Sequence, residues 1–453
     1  MSILQAGNSK ILENANLTMP LGPFTSPFDY TGPKDEFLAT RKTASIGCAL
    51  SISPVYDVYG PDAVKLLNYV SVNRDYGKMK INSLRHTIMC NEEGLMIGHG
   101  ALIKLDENHF RTYWLAPLLN YYVENLGMDV QGHMIQDEYF FQIDGPKSLE
   151  ILEKACQCDL HGMKFAQRQI VNIAGSEMSI MRLGMSGNLA YEVHGPVEKG
   201  EEVYDLILEA GKEFGIKQQG YRTYRMNHTP GGYPNQYLHF CFPLMTEGDP
   251  RSKYYQEAFL NPWGITTESL LKGSCSDNHE HYYATPYDVN WGDLVNFEYD
   301  FIGKEALQKI ANNPPKTVVT LEWDPDDIGK VFASQFRGTE VEPFDAIEKP
   351  LDGFEWNERP TVVYAWKVLL DGKFIGVASA KTNDYYSKRM ISLAIIDKEF
   401  AVEGNEVAVL WGSPGSPQVE IKAKIAKFPY FNEEFRNEKF DTSNIPVPDF
   451  LNR

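Results

Sequence analysis

Three stretches of the chain share one pattern of apolar and polar positions. Val55-Tyr56-Asp57-Val58-Tyr59-Gly60-Pro61 runs into Asp62-Ala63-Val64-Lys65-Leu66-Leu67. Tyr139-Phe140-Phe141-Gln142-Ile143-Asp144-Gly145-Pro146 runs into Lys147-Ser148-Leu149-Glu150-Ile151-Leu152. Tyr191-Glu192-Val193-His194-Gly195-Pro196 precedes Glu201-Glu202-Val203-Tyr204-Asp205-Leu206-Ile207-Leu208. The β-branched and aromatic residues ahead of each Gly-Pro pair suit a strand. A proline whose fixed φ suits a helix start then leads into apolar residues at helical spacing. A strand, a turn and a helix repeated with long spacers predict a body of related subdomains in an α+β or α/β class.

Elsewhere the pattern changes. Residues 94–105 read as two strand pieces interrupted by a Gly98-His99-Gly100 bend, where glycines permit a bulge or close backbone approach. Lys253 to Tyr283 is aromatic and polar with little periodicity, and reads as an inserted excursion. From about residue 316 the chain turns to short strands: Thr361–Leu370, then Asp371-Gly372, then Lys373–Ala378, Met390–Ile396 and Glu406–Trp411. Asp-Gly between two strand patterns predicts a hairpin, and the close spacing predicts a small all-β barrel. The charged tail from Glu433 is expected to cover the surface.

Composition narrows the class. The chain has 453 residues, enough for two or three domains, and 43% apolar with 23% charged residues is globular usage. No apolar run is long enough to span a bilayer, and the N-terminus lacks a secretion pattern; a cytoplasmic protein with no membrane partner is expected. A net charge of −18 without a basic cluster argues against a nucleic-acid partner. The six cysteines, Cys48, Cys90, Cys156, Cys158, Cys241 and Cys275, are scattered, and Cys156-Gln157-Cys158 lacks the spacing of a zinc pair. Reduced, mostly buried thiols and no metal site are expected. No dinucleotide or phosphate-loop glycine pattern is present.

The Gly-Pro units, the segment Gly184-Met185-Ser186-Gly187-Asn188-Leu189-Ala190-Tyr191-Glu192-Val193, the run Asp300-Phe301-Ile302-Gly303-Lys304-Glu305-Ala306-Leu307 and the β-rich end follow one another in a recognisable order. Nearly end to end, the chain resembles the aminomethyltransferase family of the glycine-cleavage T-protein. Within it, Lys388–Ala394 and Val409–Gly412 look most like the tetrahydrofolate-dependent O-demethylases of vanillate, syringate or 3-O-methylgallate. The resemblance implies an α+β, T-protein-like three-domain cloverleaf with a C-terminal β-barrel domain and a central folate channel. A folate-binding body over 1–315, with a possible insertion at 253–283, would precede a barrel domain with its tail over 316–453.

The resemblance also implies site residues. Glu192 matches the family's pterin-binding acid; a carboxylate can accept two adjacent N–H donors of a pterin edge. Arg222, in Gly220-Tyr221-Arg222, matches an arginine that structures the folate site, with Arg225 as the alternative. Trp291 can stack on the folate rings or pack in a core. His99 stands where T-proteins carry an aspartate near the reactive folate nitrogens, and a histidine can orient or exchange a proton there. Tyr237 or Tyr233, after Gly231-Gly232, matches a catalytic tyrosine, and Tyr30 matches a residue closing over the substrate. The histidine that vanillate-type enzymes carry before the first Gly-Pro strand is replaced by Leu50-Ser51-Ile52-Ser53-Pro54.

The expected activity is O-demethylation of a methoxylated aromatic acid, giving a phenol and 5-methyltetrahydrofolate. Tetrahydrofolate and the small-molecule methyl donor are the expected ligands. The alternatives are a one-carbon transferase using an amine or sulfonium donor and a non-catalytic folate-binding module.

Overall fold

A computed structural model describes residues 4, 10–21, 24–243, 248–262, 271–352, 362–431 and 433–446. Three sheets dominate the described residues. The first is a five-stranded antiparallel sheet in the order Leu84–Cys90, Met96–Asp106, His109–Tyr113, Val55–Tyr59, Gln131–Ile135. The second is a six-stranded sheet ordered Arg168–Ile173, Ser176–Met181, Ala190–Pro196, Glu138–Asp144, Ser45–Gly47, Lys217–Gln219. In the third, six strands (Val363–Leu370, Glu406–Trp411, Val419–Ala426, Lys316–Trp323, Arg389–Asp397, Lys373–Asp384) close into a barrel, because the first also pairs with the last. This mixed-sheet arrangement with a closed C-terminal barrel is the T-protein-like fold expected above.

Two of the Gly-Pro units fold alike. Val55–Tyr59 and Glu138–Asp144 are strands, and helices follow at Ala63–Val70 and Ser148–Cys156. Gly60 and Gly145 have φ of 133° and 123°, and a Cβ there would meet the carbonyl oxygens of Asp129 and Thr43 at 2.8 and 2.5 Å. The glycines are therefore set by a neighbouring chain passing close. Each proline lies one residue before the helix cap, Asp62 or Lys147, and not in the helix. The third unit departs: Pro196 ends its strand, and the helix Gly200–Gly211 begins after a short 3-10 turn.

Other expectations are corrected. Met96–Asp106 is one continuous strand, without a bend at Gly98-His99-Gly100. A Cβ on Gly100 would collide with the Tyr113 carbonyl oxygen on the adjacent strand, so glycine here serves close strand approach. Of the excursion 253–283, residues 263–270 lie outside the described set, but the remainder is integrated: Leu271–Lys272 pairs with Val363–Tyr364 at the barrel edge. Asp371 and Gly372 both take positive φ, 50° and 75°, which gives the mirror-image turn that two-residue hairpins favour. The tail is more than a surface cover. Buried Asn437 accepts from Arg182 Nε at 3.0 Å, and the backbone carbonyls of Asn437 and Phe440 accept from Arg182 Nη2.

Candidate active site

Where the five- and six-stranded sheets meet the segment 221–237, they enclose a chamber with about 1320 Å³ of space, part of it open to solvent. Its wall is mostly apolar and aromatic, with two cations, Arg85 and Arg225, and one carboxylate, Glu192. Few, well-placed polar groups in an apolar cleft are typical of a small-molecule site.

Glu192 is on the strand Ala190–Pro196, paired opposite Gln142. It is buried, and its side-chain partner among the described residues is His194, whose Nε2 lies 3.4 Å from Oε2. Desolvation raises its pKa despite that histidine. His194 also reaches Glu138, with Nδ1 2.9 Å from Oε1. Burial alone would depress the imidazolium, but its hydrogen bonds and charge contacts with Glu138 and Glu192 outweigh this and raise its pKa. Glu138 is held in turn by the Tyr113 hydroxyl at 2.8 Å and Arg111 Nη1 at 2.6 Å.

On the opposite wall His86 Nε2 and His99 Nδ1 are 3.3 Å apart, and the Tyr233 hydroxyl is 3.5 Å from His86 Nε2. Burial pushes the His86 imidazole down to about 4 and that of His99 well below its ordinary value. Both rings are therefore neutral at neutral pH, and each can donate from one nitrogen and accept at the other. Burial also raises the pKa of the Tyr233 phenol, which keeps it protonated.

The expected site residues divide. Glu192, His99, Tyr233 and Tyr237 all line the chamber. Tyr237, at a positive φ of 57°, donates its hydroxyl to Tyr255 Oη at 3.2 Å. Arg222 is not on the wall: it pairs with Asp29 at 2.8 Å and covers the Phe28 ring, tying its helix to the strand Phe24–Asp29. The helix Tyr221–Met226 turns Tyr221, Tyr224 and Arg225 to the chamber, the i, i+3, i+4 stripe of one face, which leaves Arg222 off it. Arg225, the alternative, does line the chamber; its Nη2 donates to the Tyr237 carbonyl at 3.4 Å.

Trp291 lies behind the wall, with its ring 4.4 Å from that of His86 and 5.1 Å from that of His99. It backs the histidine pair, and the tryptophan that lines the chamber is Trp114, held at φ 65°. Tyr30 is also elsewhere: its buried hydroxyl donates to the Ile11 carbonyl at 3.0 Å.

Sequence reasoning missed His86, Trp114, His194 and Glu138. The spacing Glu192-x-His194 on a strand was a usable signal, because alternate residues share a face. His86 had none, since its meeting with His99 depends on strand register.

Residues 5–235 match the family model described as the GCVT N-terminal domain. Sesamin methylene transferase of a Sinomonas species is 42% identical over 427 residues, covering 93% of this chain and 94% of that one. Syringate O-demethylase of a Sphingobium species is 30% identical over 434 residues, covering 89% of each. The glycine cleavage aminomethyltransferase T structure from Bartonella henselae superposes with a TM-score of 0.65 at 16% identity, covering 94% of this chain and 96% of that one, a likeness of fold. No helix among the described residues is long and apolar enough to cross a membrane. The match over more than half the chain, and the near full-length relatives, make this protein a member of the aminomethyltransferase family of folate-dependent one-carbon transferases.

Proposed function

We propose that this chain transfers a one-carbon unit from an aryl ether oxygen to tetrahydrofolate. From a methoxylated aromatic acid it gives a phenol and 5-methyltetrahydrofolate. The observation that carries this reading is one aromatic chamber joining a buried carboxylate, Glu192, to the neutral His86, His99 and Tyr233 set.

The residues fit a reduced folate. Among the described residues the buried Glu192 carboxylate has one side-chain hydrogen bond, a long contact of 3.4 Å with His194. Buried acceptors of this kind call for donors, and a pterin edge presents them. Arg225 and Trp114 supply a cation and a flat ring in the same chamber. When bound, reduced folate supplies the N5 nucleophile that takes the carbon.

The chain's own task is at the departing oxygen. When the carbon–oxygen bond breaks, its electron pair stays on oxygen and a phenolate develops. The Tyr233 hydroxyl, backed by the neutral His86–His99 pair, can donate a hydrogen bond to that oxygen and relay to it the proton that the folate nitrogen loses in taking the carbon. The apolar wall excludes water and strengthens the interaction. Two lining arginines disfavour a cationic amine or sulfonium donor, while an arginine suits the carboxylate of an aromatic acid.

A second reading is favoured by the 42% identity to sesamin methylene transferase. An aryl methylenedioxy group would give up its carbon to form a catechol and methylene-tetrahydrofolate. The same oxygen-side chemistry then operates twice. Both readings are tested by incubating the protein with tetrahydrofolate, without oxygen, and with vanillate, syringate or a methylenedioxyphenyl compound. Mass spectrometry should find a one-carbon folate and the matching phenol or catechol. No product across that panel overturns the proposal.

A further inference from the structure

The Glu192 carboxylate ends a string of buried and half-buried groups that crosses from one sheet to the other. Asp57, on the strand Val55–Tyr59, takes Arg111 Nε at 2.7 Å and Nη2 at 3.0 Å. Arg111 Nη1 donates to Glu138 Oε2 at 2.6 Å, while Oε1 of Glu138 takes the Tyr113 hydroxyl and faces His194 Nδ1. The other His194 nitrogen faces Glu192. His194 packs on the Phe140 ring with centroids 3.9 Å apart and edge-on to Tyr113 at 4.9 Å. Both ring nitrogens are thus engaged, and two aromatic rings pack against the imidazole. Glu138 and His194 do not line the folate chamber but a separate polar cavity behind it, together with Arg111 and Arg168.

We propose that His194, gripped between Glu138 and Glu192, is the positioning residue that fixes the Glu192 carboxylate for a pterin edge. The inference rests on the folate reading above. An imidazole donating to one carboxylate oxygen leaves the other free to accept from a ligand, and a cation between two carboxylates allows both to be charged in a buried wall. Glu138, anchored by Arg111 and Tyr113, stops the ring from turning away. Outer groups that orient a ligand-binding side chain commonly set its affinity.

The test is tetrahydrofolate affinity of the full chain, measured anaerobically for wild type, E192Q, H194Q, E138Q and the H194Q/E192Q double variant. H194Q should weaken binding about tenfold and add little to E192Q, because both act through one carboxylate. E138Q carries the test if H194Q does not fold; because Glu138 also holds the hydroxyl of Tyr113, which lines the chamber, Y113F is measured beside it, and weaker folate binding in E138Q with near wild-type affinity in Y113F assigns the effect to His194. The KM for the aryl ether should change less than about twofold, whereas a general loss of structure would move it too. Wild-type affinity in H194Q or E138Q, or multiplicative losses in the double variant, overturns the inference and leaves the folate reading standing. Failure of the wild type to bind tetrahydrofolate overturns both.

Discussion

His86 and His99 meet across neighbouring antiparallel strands with their ring nitrogens 3.3 Å apart, and burial keeps both uncharged. The pairing follows from register: His86 is opposite Ala101, so His99 is its diagonal neighbour on the same face.

This pair makes stability depend on acid. The folded pKa of His86, about 4, is below its unfolded value of 6.5, so the unfolded chain binds more protons between those limits. The stabilisation is present above 6.5 and is lost as pH falls toward 4, at about 1.4 kcal/mol per pH unit for one such proton. Asp29 and Asp144, with burial raising their pKa to about 6 and about 7, slope the opposite way, so the signal is a difference. H86N should reduce the acid-side fall in melting temperature measured from pH 6.5 to 4.5. An unchanged slope would contradict a neutral buried His86.

The two tyrosines should separate. Tyr233 directs its hydroxyl toward His86, whereas Tyr237 donates to Tyr255. Y233F should lower kcat by about 10² or more, the scale of a lost acid–base group, with folate affinity nearly unchanged. Y237F should affect stability more than kcat. Steady-state kinetics and thermal melting of both variants would distinguish them, and equal kcat losses would remove the special role of Tyr233.

Arg222 and Arg225 should likewise exchange the roles that sequence position suggests. R222M leaves Asp29 buried without its cation, so melting temperature should fall while folate affinity stays within about twofold. R225M alters the chamber wall and should lower kcat/KM about tenfold or more. A folate defect in R222M with none in R225M would reverse this assignment.

Gly100 is required by contact and not by backbone conformation. In G100A the added methyl meets the Tyr113 carbonyl, and the strands must separate. Overpacking of this kind costs about 1–3 kcal/mol, and the His86–His99 geometry should loosen with it. Denaturant unfolding should show the loss; a G100A protein as stable as wild type would contradict the close approach.

These residues also explain what the sequence made legible. Features carried by local chemistry were readable: the Asp371-Gly372 hairpin and the strand ahead of Gly60. Glu192 was legible through the family resemblance, because alternation on its strand alone also suits a solvent-facing carboxylate. Features that depend on phase or register were not readable. Arg222 and Arg225 are both arginines on one short helix, and only its rotation decides which faces the chamber. Trp291 packs against the His86–His99 pair while Trp114 lines the chamber, a difference of depth that no local sequence feature marks. Gly98-His99-Gly100 suggested a bend because glycine permits one, but close strand approach needs the same residue.

The most direct test of one-carbon transfer to folate is a single turnover with an aryl ether carrying ¹³C in its methoxy or methylenedioxy carbon. The account predicts that the label leaves the ether and appears on tetrahydrofolate in equal amount to the phenol or catechol formed, and that Y233F slows this step. Label retained in the ether, or released as free formaldehyde or methanol with unlabelled folate, would contradict it.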